Sequence, residues 1–83
     1  MRKIYKTKGT CSSIIEIETE GSIIKDVLFH GGCNGNLQGI STLVKGMPVN
    51  DVIEKLEGIR CGYKTTSCPD QLAQALKEMV END

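Results

Sequence analysis

His30-Gly31-Gly32-Cys33-Asn34-Gly35-Asn36 divides the chain into two kinds of pattern. Before it, apolar residues recur with a period of two; after it, they recur at helical spacing. The glycines of this stretch open backbone conformations closed to other residues, and an Asn at 34 or 36 can cap a helix that follows. Upstream, residues 13–20 alternate, with Ile15 and Ile17 on one face and Glu16, Glu18 and Glu20 on the other, as in a half-buried strand. A tight turn is predicted at Glu20-Gly21. Residues 22–29 are β-branched and apolar and return antiparallel, with imperfect alternation around Ile23-Ile24 and Leu28-Phe29. Residues 2–7 supply a third, edge strand.

Downstream, Leu37, Ile40, Leu43 and Val44 share one helical stripe, and Gly46-Met47-Pro48 ends that helix. A second helix carries Val49, Val52, Ile53 and Leu56 and stops at Gly58. Residues 59–66 form a loop or a short extended piece containing Cys61-Gly62. Ser67-Cys68-Pro69-Asp70 then supplies an N-cap, a first-turn Pro and an acid three residues after the Ser, and Leu72, Leu76, Met79 and Val80 give the last helix its apolar stripe. The order βββααα implies an α+β, two-layer domain spanning residues 1–83, with a three-stranded antiparallel sheet and three helices on one face.

At 83 residues, with two Tyr, one Phe and no Trp, the core is aliphatic and small, so a staple, a metal or a partner would help it fold. Ten basic and eleven acidic side chains are spread without runs, which argues against nucleic-acid binding. No apolar stretch reaches bilayer length, and Thr7-Lys8-Gly9-Thr10 stands where a signal peptide would have its apolar region, so a cytoplasmic protein without membrane contact is expected. In that compartment four cysteines read as metal ligands or redox groups before structural disulfides.

Cys11, Cys33, Cys61 and Cys68 are separated by 21, 27 and 6 residues, a spacing that matches no common zinc-ribbon or ferredoxin pattern. Their positions say more: each falls at the end of an element, and turns at one end of a domain can converge. Four thiolates would complete a tetrahedral shell for Zn(II), the expected metal, or hold an Fe–S cluster. Cys68, in the first turn of a helix, faces backbone N–H groups that favour its thiolate, which suits either a ligand or a Cys61–Cys68 dithiol passing electrons to another protein. His30 is a candidate nitrogen ligand or hydrogen-bond donor beside the metal, weighed against a strand-end histidine with one hydrogen bond. Asp70 is a further candidate ligand or supporting group, and is read as a helix-start acid before a catalytic base because no reacting partner is evident. Gly31, Gly32, Asn34, Gly35 and Asn36 could cradle an anion or nucleotide at a helix N-terminus, although the turn lacks P-loop chemistry. No paired carboxylates or Ser-His-Asp set supports hydrolysis, so no catalytic residue is assigned.

Thr66-Ser67-Cys68-Pro69-Asp70 resembles the signature of the TSCPD domain. Phe29-His30-Gly31-Gly32-Cys33-Asn34-Gly35-Asn36-Leu37, Leu56-Glu57-Gly58-Ile59-Arg60-Cys61-Gly62 and Cys68-Pro69-Asp70-Gln71-Leu72-Ala73 resemble the family's other blocks in order. The resemblance implies a short stand-alone form of a module also found at the C-terminal end of adenosylcobalamin-dependent ribonucleotide reductases. There it is associated with deoxyribonucleotide synthesis, through metal binding or delivery of reducing equivalents. Without the radical-site barrel, the chain is expected to serve a reductase-like or redox partner protein, and any reductase activity would be inherited from the larger enzyme. The fold order is also similar to iron-sulfur scaffolds of the NifU/SufU type, which implies Cys11, Cys33 and one of Cys61 or Cys68 around zinc or a cluster. The Asp that accompanies the first ligand in that family is missing here, where Ser12 and Ser13 follow Cys11.

Overall fold

A computed structural model describes residues 2–7, 12–31, 34–60, 62 and 66–81, with backbone alone at Ser12 and Asn34. Three strands, β1 (Arg2–Lys6), β2 (Ser12–Glu20) and β3 (Ile23–Gly31), form an antiparallel sheet in sequence order. Three helices follow: α1 (Asn34–Val44), α2 (Val49–Leu56) and α3 (Cys68–Glu81). This is the expected βββααα arrangement.

The β2–β3 hairpin closes through Gly21 at φ +62° followed by Ser22, with Glu20 opposite Ile23. Positive φ at only the first of two central positions is the pattern of a type II′ turn, where Gly has no Cβ to clash. The uneven alternation of β3 has a specific cause. Glu18 pairs with Asp26 and Thr19 with Ile24, which leaves Lys25 as an extra residue in a bulge. The bulge resets the phase, so Ile24 and Val27, three apart, both turn inward and are buried. A second bulge at Ser13 lies between the Ser12–Gly31 and Ile14–His30 pairs, and the Ser13 hydroxyl donates to the His30 carbonyl at 3.2 Å.

One face of the sheet carries the core. Ile15, Ile17, Ile24 and Val27 pack in one cluster with Val44 of α1, Val49 and Val52 of α2, and Leu72, Ala75, Leu76 and Met79 of α3. Two residues of the predicted stripes are corrected: Leu43 is 76% exposed and Val80 49% exposed, so neither faces this core. Val44 and Met79 are the inward residues beside them. A short helix turns only part of its circumference toward two neighbours, and sequence periodicity alone does not fix that arc to within one residue.

The helices run alternately along the sheet. Gly46 N–H donates to the Ile24 carbonyl at 2.8 Å and Ile24 N–H to the Met47 carbonyl at 2.9 Å, which ties the end of α1 to the hairpin end of β3. Val49 N–H donates to the Ser22 carbonyl at 2.8 Å, so α2 starts at the hairpin end and runs away from it. The last turns of α3 return there, with Met79 and Val80 beside Thr19, Gly21 and Ser22 around a shared cavity. The start of α1, the exit from α2 and the start of α3 therefore lie away from the hairpin, on the side toward the end of the sheet where Ser12 pairs with Gly31.

Candidate functional site

That end of the domain is where the sequence points for chemistry. Ser67 caps α3, its hydroxyl oxygen accepting the Asp70 N–H at 3.1 Å, as the Ser-x-x-acid pattern predicts. The same hydroxyl donates to the Ile59 carbonyl at 2.6 Å. One side chain thus starts the helix and anchors the incoming loop. Asp70 does not complete a reciprocal capping box. Its Oδ1 accepts the Gly58 N–H at 2.7 Å and lies 3.5 Å from the Gln74 amide nitrogen, while its Oδ2 accepts the Thr66 hydroxyl at 2.5 Å. Gln71 donates to Thr66 Oγ1 at 2.9 Å.

Ser67, Asp70 and Gln71 are all buried. Burial pushes the Asp70 carboxyl up, but the hydrogen bonds from Thr66, Gly58 and Gln74 and the nearby Lys77 charge outweigh it, and the group is held below the usual carboxylate range. Gly58, at φ +86°, ends α2 in a conformation that frees its N–H for this contact. Lys77 of α3 also pairs with Glu57 at 3.0 Å. Tyr5, on the inner face of β1, feels the same corner: burial and the carboxylates of Glu78 and Asp70 raise its hydroxyl above the ordinary tyrosine value.

Cys68 lies in the first turn of α3 and is buried. Cys11, Cys33 and Cys61 lie outside the described residues, as does Gly32. Their described neighbours are tied in two groups. Ser12, next to Cys11, pairs with Gly31, two residues before Cys33; Asn34, next after Cys33, opens α1; and Ile59, two residues before Cys61, is bonded to Ser67, next to Cys68. Among the described residues, no three His, Cys, Asp or Glu side chains group as a metal site.

His30 lies on the other face of the sheet. Its Nε2 is 2.5 Å from Glu16 Oε2, in the arrangement of a strand-end histidine with one hydrogen bond. Glu16 also receives Arg2 at 2.7 Å, and Arg2 reaches Glu18 at 3.1 Å. The hydrogen bond from Arg2, and then that from His30, lowers the Glu16 carboxyl. Of the expected anion turn, Gly31 has φ +80° and Gly35 and Asn36 are exposed at the start of α1.

Sequence reading identified Ser67 and Asp70 at the start of α3 but missed their contacts to Gly58, Ile59 and Thr66. The available signal was the concentration of hydroxyl, amide and carboxylate groups in Thr66-Ser67-Cys68-Pro69-Asp70-Gln71, more than one N-cap requires.

The fold and this corner define a small α+β domain whose cysteine-flanking segments are tied in two pairs, Ser12 with Gly31 and Ile59 with Ser67. The family model of the TSCPD domain matches residues 2–80, and the chain belongs to that family. No curated protein and no solved structure matches the chain. Among the described residues, no helix is long and apolar enough to cross a membrane.

Proposed function

We propose that this protein is a metal-binding accessory module in which Cys11, Cys33, Cys61 and Cys68 hold one Zn(II) and which serves a partner enzyme of the ribonucleotide-reductase type. One observation carries the metal reading: the flanks of the cysteines are tied in two pairs, Ser12 to Gly31 beside Cys11 and Cys33 and Ile59 to Ser67 beside Cys61 and Cys68, and both pairs lie away from the hairpin. Four thiolates are a complete donor set for tetrahedral Zn(II), and the same set suits an Fe–S cluster. Bound there, zinc would staple two strand ends to two helix starts, the reinforcement a small aliphatic core calls for. Membership of the TSCPD family supports a partner of this class, with a role accessory to deoxyribonucleotide synthesis rather than complete catalysis.

Metal content of protein purified without oxygen or added metal tests this reading. About one zinc per chain is expected, with Cys33→Ser lowering metal content and melting temperature together. Iron with sulfide and a visible absorption band would redirect the function to cluster carriage. Unchanged metal content and stability in Cys33→Ser would defeat the four-cysteine site.

A second reading, a Cys61–Cys68 dithiol that reduces a partner protein, is favoured by the bonds joining the flanks of these two residues, from Ser67 to Ile59 and from Gly58 to Asp70. Metal-free protein whose thiols disappear in pairs under mild oxidation would support it.

A further inference from the structure

We propose that the outer face of α1 and α2 is a dimer interface, and that its occupant is a second copy of this chain packed across a twofold axis. The reading does not depend on the metal site. Between the two helices runs a groove of about 340 Å³, lined by Ile40 and Leu43 of α1, Met47 of the connection, Val52 and Leu56 of α2, and a single charged side chain, Lys55. Leu43 is the most exposed large apolar side chain among the described residues. α1 has no charged residue in its eleven positions, although Gly35, Asn36, Gln38, Gly39 and Thr42 are exposed along it. A helix that faces water there carries charge as a rule, whereas the centre of a protein interface is depleted of it.

The charges of α2 select a second copy over an unrelated protein. Asp51 and Lys55 are exposed and lie one turn apart on the flank that borders the groove. Their spacing suits an intrahelical pair, yet among the described residues neither has an ion-pair partner. A partner surface of one charge sign would satisfy one of them and repel the other. A twofold axis satisfies both, because it runs each helix antiparallel to its copy and exchanges positions equally spaced about the crossing. With α2 crossing its copy level with Ile53, each Asp51 meets Lys55 of the other copy. The same operation suits α1. Where α1 crosses its copy at Gly39, Leu43 falls opposite Gly35, equally far on the other side. A Cβ added at Gly35 or Gly39 would meet nothing within 4 Å, so both positions leave open space, one for the incoming Leu43 and one for close approach of the two backbones. Burial of this face also adds apolar area to a domain whose own core is small.

Sedimentation equilibrium of the full chain as purified, with thiols kept reduced so that no disulfide links two chains, tests the interface. The mass is expected to rise with concentration from one chain to two. Leu43→Lys should weaken the dimer about tenfold or more. Its melting temperature in dilute, monomeric solution should match the parent, because Leu43 lies outside the core. Lys55→Asp sets Asp51 against a like charge at both symmetric contacts and should weaken association about tenfold. Asp51→Lys combined with Lys55→Asp exchanges the signs and should return the parent dissociation constant, a rescue that only self-association predicts. A chain still monomeric at about 1 mM overturns the proposal and leaves the groove to a different protein. A dimer indifferent to Leu43→Lys lies on another face, and a double variant no tighter than Lys55→Asp removes the pairing that selected the second copy; either result overturns the proposal as well.

Discussion

The open face of the sheet and the first turn of α3 use the same chemical vocabulary in opposite settings. On the open face Arg2 bridges Glu16 and Glu18, His30 meets Glu16, and Lys25 reaches Glu18 at 3.5 Å, all among side chains in contact with water. At α3 a single carboxylate, Asp70, is buried and receives a backbone N–H and a hydroxyl. Water competes for every partner on the face, and screening weakens each pair. In the buried corner, loss of one group strands the others, because water cannot replace what is removed. The denser-looking charge network is therefore the weaker one, and the sparse one holds the chain.

The largest expected effect follows from removing Asp70. Asp70→Ala leaves the Gly58 N–H and the Thr66 hydroxyl without their acceptor, and should cost about 3 kcal/mol, the upper range for hydrogen bonds to a charged group. Urea unfolding of the metal-free protein measures it. A loss no larger than that of a surface substitution would break the contrast.

Ser67 gives the next effect and a sharper one. Ser67→Ala removes both the cap and the bond to Ile59, with an expected cost of about 1–2 kcal/mol. Ser67→Asp can still cap α3 but has no proton to give the Ile59 carbonyl, and it brings a second carboxylate beside Asp70. If capping were the only role, Ser67→Asp would match the parent in urea; a contribution from the bond to Ile59 requires it to remain clearly less stable.

These residues also mark how far sequence could be read. Strand order, the Gly21 turn, the edge strand and all three helices were legible, because Ile15 and Ile17, Val49 and Val52, and Leu72 and Leu76 repeat at the spacing of the elements that bury them. The bulge at Lys25 appeared only as broken alternation, since an extra residue leaves no mark of its own in a run of Ile, Lys, Asp and Val. Leu43 and Val80 were misassigned because an adjacent apolar residue took the inward position in each case. At the candidate site the N-cap of Ser67 was legible, being local. The partners of Asp70 were not: Gly58 lies twelve residues upstream and offers only a backbone N–H, a group every residue but proline carries.

The smallest expected effect lies on the open face and tests the other half of the contrast. Glu16→Gln removes the carboxylate that Arg2 and His30 share, yet its urea midpoint at neutral pH should stay within error of the parent, because the groups exchange one another for water. Any difference has a defined pH dependence. Arg2, and then His30, lowers the Glu16 carboxyl, so its contribution is present above the ordinary glutamate range and is lost as pH falls through the lowered value. Midpoints of the two proteins should therefore converge completely on acidification, and half-molar salt should bring them together at neutral pH as well. A Glu16→Gln cost as large as that of Ser67→Ala, and insensitive to salt, would mean that the open face is shielded from water in the folded protein and that burial does not separate the two regions.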